Sequence, residues 1–471
     1  MINWIRDERH MALDRESLED IYNRVPIWFQ NGALSAYGLH TRLTRYNKTF
    51  FRELDALRER ETWSAEQTIA YRDGRIRQFI QHCADTVPYY RGLFRNLKIN
   101  PQEIAGLDAL SLLPVLDRAT VRDRWREFVS DAFPASAQQI KFTSGTSGAG
   151  LRYISTLAST REQWAVWWRF RYAHGIRFGT ECAMFRSALL VPLDRTEPPF
   201  WRRNHATREM FFSGNHMSPR YLPSYIEEMN RRRPPWIHGF GSTVTTLASF
   251  ILESGLKLDY PVRWITLGSE QVYPHQIEKI EAAFGIRPLQ IYGMTEAVAN
   301  ASEAPDGVLY VDEDFAATEF LPADESGTCD VVGTNLSNPI FPLVRYRVGD
   351  LAVPTDGQSA NGRRIVSRLD GRSDDYIIRP DGSRLGRLDI LFRRMVNIRE
   401  AQILQQRPGE VRLRVAKGKD FTAADEAALL SVARKHLGGD MDIQVDYVDA
   451  IERTPSGKLL HVRSELARGQ L

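Results

Sequence analysis

The chain has 471 residues, of which 43% are hydrophobic and 26% charged, with 62 basic and 59 acidic side chains. That length exceeds a single hydrophobic core and suits two or three domains. A net charge of +3 gives no reason to expect nucleic acid or an anionic membrane as the main partner. No apolar run is long enough for a transmembrane segment, and the opening "MINWIRDERHMALDRE" places charges where a signal peptide needs its apolar centre, so the expected compartment is cytoplasmic. Cys83, Cys182 and Cys329 lie far apart, which points neither to a disulfide framework nor to a cysteine zinc site.

In chain order, the first 130 residues read as largely helical. "AEQTIAYRDGRIRQFIQHCADT" spaces Ile69, Ile76, Phe79, Ile80 and Cys83 near the helical period, and "VPYYRGLF" breaks that helix at Pro88. The stretch "KFTSGTSGAG" at 141–150 follows. Its glycines allow close backbone approach and its hydroxyls are short-range donors, as an anion-binding turn requires. An ordinary surface turn uses the same residues. Gly148 is followed by Ala149 and Gly150, so no Gly-Lys-Ser/Thr ending exists, and Gly145, Gly148 and Gly150 reverse the dinucleotide-binding spacing.

From about 140 to 350 short β-rich runs alternate with helical stretches, as in a βαβ-type domain. "PVRWITLGSE" predicts a strand ending at a glycine. "PHQIEKIEAAFGI" predicts an amphipathic helix stopped by Gly285, and "RPLQIYGMTEA" a strand running into a loop. In that loop Tyr292 can stack on a purine, Thr295 can donate to a phosphate oxygen, and Glu296 can hold a magnesium ion. A strand end with a solvated glutamate would look the same. In "YRVGDLA", Asp350 can accept both ribose hydroxyls, although turn aspartates are common. In "GRSDDYIIRPDGSRLG", Arg372 and Arg384 offer planar donor forks. Beyond it, "EVRLRVA", "TAADEAALLSVARKHLGG" and "MDIQVDYVD" predict a strand, a helix and a strand. In "IERTPSGKLLHVRS", Lys458 on a Pro-Ser-Gly turn can swing as a point charge onto a developing negative centre.

Taken together, "TSGTSG", "YGMTE", "YRVGD", "GRSDD" and "TPSGK" in that order resemble the adenylate-forming superfamily of acyl-CoA synthetases, adenylation domains and luciferases. "FIQHCADTVPYYRGLF" and "LSLLPVLDRATVRDRW" resemble the phenylacetate–coenzyme A ligase branch. "TREQWAVWWRFRYAHGI", "FFSGNHMSP" and "PPWIHGFGST" are similar to its subgroup found with capsular-polysaccharide genes, the CapK-like proteins. The resemblance implies an α/β protein. Residues 1–373 would form a large adenylation domain of mixed sheets and helices, with 1–130 as helical lead-in. Residues 374–471 would form a small mobile α+β lid.

It further implies an AMP-forming ligase. The enzyme would use ATP and Mg²⁺ to convert a small-molecule carboxylic acid into an acyl-adenylate, and would then pass the acyl group to coenzyme A. The alternative acceptor is an amine or a sugar, and the alternative of another class is a non-catalytic nucleotide-binding scaffold.

By the same resemblance, Thr143, Ser144, Gly145, Thr146, Ser147 and Gly148 would cradle the β- and γ-phosphates. Lys458 would bridge carboxylate and α-phosphate, with Thr295 and Glu296 at the catalytic centre and Glu296 on Mg²⁺. Tyr292 and Gly293 would meet adenine against a wall containing Ser269 and Glu270. Asp350 and Arg372 would hold ribose, Arg384 would lie near phosphate, and Asp374 would be the hinge. His238, Gly239, Gly268 and Ala297 are the candidate acid-pocket residues. The superfamily usually has a lysine where Ala149 stands; either Arg152 replaces that charge, or N–H and hydroxyl donors suffice.

Overall fold

The computed structural model describes residues 22, 24–142, 151–185, 190–192, 194–323, 327–372, 377–380, 384–385, 388–391, 397–419, 421–454 and 459–466. They fall into two compact units. One is built mainly from Ala36–Phe178 and Gln290–Leu369, the other from Asn23–Ser35, Gly179–Leu289 and Asp370–Leu471.

The first unit opens with the expected helices. Helix Ala65–Thr86 starts at a reciprocal cap: Ser64 Oγ accepts from the Gln67 amide at 3.3 Å, and Gln67 Oε1 accepts from the Ser64 amide at 2.9 Å. It stops at Val87, in the extended conformation that a following proline imposes. Pro88 then opens a new helix, Pro88–Leu97, at the position where its missing N–H costs nothing. Ile76, Phe79, Ile80 and Cys83 are buried with Tyr90, Phe94, Tyr153, Phe341 and Tyr346, while Ile69, nearer the start of the same helix, is exposed.

Behind the helices, strands hydrogen-bond in the order Ala317–Pro322, Cys329–Thr334, Tyr346–Gln358, Arg364–Arg372, Leu309–Val311, Asn300–Glu303, Leu289–Gly293. A separate antiparallel hairpin, Gln139–Phe142 with Arg152–Ser155, brackets residues 143–150.

A run of three buried carboxylates, Asp312, Glu313 and Asp314, lies between helices and strands of this unit. A buried charge is tolerated only when paired, and each is met by guanidinium groups. Arg169 donates to Asp312 Oδ1 at 2.9 Å and to both oxygens of Asp314 at 2.9 and 3.0 Å. Arg60 reaches Asp314, Arg363 reaches Asp312, and Arg72 and Arg364 reach Glu313. Burial would raise the Asp314 carboxyl, but Arg169, followed by Arg60 and Arg363, outweighs it and holds the pKa down to about 2.

The second unit carries the parallel part of the fold. Cys182–Phe185 pairs in parallel with both Glu209–Phe212 and Trp236–Gly239, and Trp236–Gly239 pairs in parallel with Trp264–Gly268. Trp201–Asn204 is an antiparallel edge. Helices Leu222–Arg232, Gly241–Ser254 and Pro274–Phe284 bury Tyr225, Ile226, Leu247 and Ile280 with Phe185, Phe212, Ile237 and Ile265 of these strands. Gly285 ends the last helix with φ +70, as the sequence predicted.

The same unit contains the predicted tail elements, Glu410–Lys417, Ala423–Leu437 and Asp442–Tyr447. Two strands not foreseen join them, giving a four-stranded sheet in the order Asp442–Tyr447, Glu410–Lys417, Ile398–Arg407, Val462–Ser464. Ile403, Leu413, Val415, Leu429, Ala433 and Leu437 form its core. No helix among the described residues is long and apolar enough to cross a membrane.

The depressed Asp314 pKa fixes the sign of an acid effect. The folded carboxyl titrates below its unfolded value of about 3.9, so its stabilisation is complete above that pH and disappears as pH falls towards about 2. Asp314→Asn is expected to cost about 3 kcal/mol at neutral pH and to flatten the stability–pH curve between about pH 4 and 2, read by urea melts across that range.

Candidate active site

In the first unit, strand Leu289–Gly293 ends in the turn 294–297, and both turn carbonyls are fixed by buried side chains. Met294 O accepts from Gln163 Nε2 at 2.6 Å and from the Ala297 amide at 3.2 Å. Glu296 O accepts from the Tyr153 hydroxyl at 3.0 Å and from Asn335 Nδ2 at 3.3 Å. Asn338 Nδ2 in turn donates to the Tyr153 oxygen at 2.9 Å. Ala297, 4% exposed, has φ +56. A non-glycine residue in the left-handed region carries strain that the surrounding bonds must hold. The turn presents Thr295 to solvent and keeps Glu296 buried.

Tyr292 and Asp350 lie 58 positions apart and meet: the phenol donates to Asp350 Oδ2 at 2.8 Å. Gly349, just before Asp350, has φ +84, which explains the glycine in "YRVGD". Gly293 is forced by crowding. A Cβ there would lie 2.5 Å from Asn300 Oδ1 and 3.2 Å from Trp167 Nε1. Trp167 Nε1 donates to Asn300 Oδ1 at 3.0 Å, while Asn300 Nδ2 and Ser302 Oγ both donate to Asp312. The strand floor beneath Tyr292 therefore rests on the buried carboxylate run.

At the foot of the 143–150 stretch, Lys141 Nζ donates to Thr160 Oγ1 at 2.7 Å. Burial, and then the Arg45 charge, lower its pKa to about 8. Arg152, the sequence candidate for the missing loop charge, has its guanidinium 4.7 Å from the centre of the Trp125 ring.

In the second unit, the predicted residues sit at the carboxyl ends of adjacent parallel strands, where open α/β sheets bind ligands. His238 and Gly239 end one strand; Gly268 ends the next, and Ser269 and Glu270 follow it. His238, 8% exposed, pairs through Nδ1 with Thr266 Oγ1 at 2.8 Å and Thr266 O at 3.1 Å. A Cβ on Gly239 would lie 2.8 Å from Phe185 Cβ and O. Ser269 is exposed, with φ +67. Glu270 engages both oxygens inside the protein. Oε2 accepts from the Ser242 amide at 3.0 Å and Oε1 from the Leu459 amide at 3.2 Å. The Ser242 bond caps helix Gly241–Ser254, whose N-cap Phe240 has no side-chain oxygen to do so.

Thr143, Ser144, Gly145, Thr146, Ser147, Gly148, Asp374 and Lys458 lie outside the described residues. Arg372 and Arg384 are placed in strands Arg364–Arg372 and Arg384–Leu385, with their side chains outside the description. Sequence reasoning missed Gln163, Tyr153, Asn335 and Asn338, which fix the turn. Buried asparagines in "TNLSNP" were the available signal.

Residues 377–465 match the family described as the CapK C-terminal domain. Protein CapK of Staphylococcus aureus is 21% identical over 456 residues, covering 94% of this chain and 98% of that protein. The phenylacetate–coenzyme A ligase of Pseudomonas putida is 25% identical over 338 residues, covering 68% of this chain and 73% of that enzyme. This homology supports the adenylate-forming superfamily. Within it, the homology runs to the phenylacetate–coenzyme A ligase branch and its CapK-like subgroup. The fold agrees: a 2-hydroxyisobutyryl-CoA ligase in the postadenylation state matches with a TM-score of 0.63 and 20% identity, over 86% of this chain and 91% of that one.

The crowding at Gly293 is directly testable. Gly293→Ala must displace Asn300 from Trp167 and is expected to cost about 1–3 kcal/mol in stability, measured by thermal and urea unfolding.

Proposed function

We propose that this chain activates a small carboxylic acid with ATP and transfers the acyl group to coenzyme A. In the first half-reaction a carboxylate oxygen attacks the α-phosphorus, the bond to pyrophosphate breaks, and an acyl-adenylate forms. In the second the thiol sulfur attacks the acyl carbonyl, the bond to AMP breaks, and the thiol proton leaves to solvent. The observation that carries this reading is the hydrogen bond joining Tyr292 to Asp350. It sets an aromatic face and a carboxylate side by side, as recognition of adenine and ribose requires, next to the fixed turn with Thr295 and Glu296.

A single buried carboxylate fits Mg²⁺, which takes most of its shell from phosphate oxygens and water; when bound, the ion would neutralise phosphate charge as pyrophosphate departs. Thr295, exposed on the turn, is the proposed donor to a phosphate oxygen. His238, Gly239, Gly268 and Ala297 are the proposed acid-pocket residues, and Thr143, Ser144, Thr146 and Ser147 the grip on pyrophosphate. Arg372 and Arg384 are proposed for ribose and phosphate, and Asp374 as the pivot of a C-terminal domain beginning there.

The second reading, an amine or a sugar as acceptor, rests on the resemblance to the capsular-polysaccharide subgroup. Similarity to CapK spans 94% of the chain, whereas similarity to the coenzyme A ligase spans 68%. The experiment is pyrophosphate release across a panel of aryl and aliphatic acids with hydroxylamine as trap, followed by coenzyme A, amines and amino sugars offered in parallel. Silence across the panel despite tight ATP binding would favour a non-catalytic scaffold.

Lys458→Ala is expected to slow pyrophosphate release by about 10²–10³ while supplied acyl-adenylate still reacts with the acceptor; stopped-flow measurement of each half separates them. Asp350→Asn and Tyr292→Phe are expected to raise the KM for ATP about tenfold and to leave the KM for the acid unchanged, seen in steady-state kinetics.

A further inference from the structure

Of the two flanks of the stretch that carries Lys458, one is tied to helix Gly241–Ser254 and the other to Glu270, which caps that helix. On the leading side, Arg453 and Glu400 form an ion pair in which each side chain is only 6% exposed. Arg453 Nη1 also donates to Ser242 Oγ at 2.7 Å, and Nη2 lies 3.4 Å from Thr246 Oγ1. Thr246 Oγ1 itself donates to Glu400 Oε1 at 2.7 Å, and Glu400 Oε2 accepts from the Ile451 amide at 2.9 Å. On the trailing side the Leu459 amide donates to Glu270. Arg453 and Leu459 face each other in an antiparallel bridge. Ser242 and Thr246 are one turn apart on helix Gly241–Ser254, so a single helical face receives Arg453 and Glu400.

A buried ion pair adds little net stability over a well-packed apolar contact, so its presence at this contact needs another reason. Here both charges belong to the C-terminal sequence, and the helix contributes only hydroxyls. If the contact opens, Arg453 and Glu400 keep each other as partners while Ser242 and Thr246 pass to water. Neither Arg453 nor Glu400 is then left as a lone charge.

We propose that Glu400, Arg453 and Thr246 form a releasable polar clasp. Closed, it seats Ile451 and Arg453 on the helix for acyl-adenylate formation; open, it frees them for acyl transfer. Glu400 and Thr246 are thus positioning residues acting through the chain that leads to Lys458, and the inference rests on the two-step reading above.

The test uses the full chain with Thr246→Val, which keeps side-chain shape and lies outside the C-terminal sheet, and with Glu400→Gln. Both are expected to slow pyrophosphate release about tenfold while supplied phenylacetyl-adenylate reacts with coenzyme A at the wild-type rate. Amide exchange at Ile451 and Leu459 should quicken, with strand Glu410–Lys417 unchanged. The double variant Glu400→Gln/Arg453→Gln should be no slower than the worse single variant. Equal slowing of both half-reactions would overturn the clasp, as would unaltered exchange at Ile451 and Leu459 in Thr246→Val. A wild-type protein that releases no pyrophosphate with any acid would instead remove the two-step reading, and the exchange measurement would still decide the clasp.

Discussion

A carboxylate taken out of water must meet a fixed cation, and the first unit is organised around three such carboxylates in succession. Asp312 and Asp314 are held by the guanidinium of Arg169, itself 4% exposed. Arginine suits this role because its planar fork can serve two carboxylates without losing its charge. The cost of breaking such a pair is high even where the cost of forming it is nearly balanced. The run therefore works as a rigid reference point, to which the helices supplying Arg60, Arg72 and Arg169, the strand supplying Arg364 and the residue before it, Arg363, are all tied.

That rigidity reaches the candidate site in two steps. Asp312 accepts from Asn300 and Ser302, and Asn300 accepts from Trp167 directly behind Gly293. Tyr292 and the 294–297 turn stand on this floor. The strained conformation at Ala297 persists because the carbonyls before it are bonded to Gln163, Tyr153 and Asn335. These contacts fix the turn and its carbonyls in one arrangement.

The second unit uses hydrogen bonds of a different kind. Glu270 both caps a helix and accepts from Leu459, and the Glu400–Arg453 pair meets the same helix through hydroxyls.

Local rules made much of the fold legible in the sequence. The period of Ile76, Phe79, Ile80 and Cys83, the proline at 88, the glycine at 285 and the alternation in "EVRLRVA" act within a few residues, and each produced the expected element. The ordered motifs also pointed to Tyr292 and Asp350 as partners in one function. Their hydrogen bond, the crowding behind Gly293 and the inward engagement of Glu270 depend on residues 58, 126 and 189 positions away. No periodicity encodes such pairings. Residue chemistry by itself determined which groups can stack, accept or carry charge; only the tertiary structure decided which of them meet, because burial turns a distant arginine or asparagine into an obligatory partner.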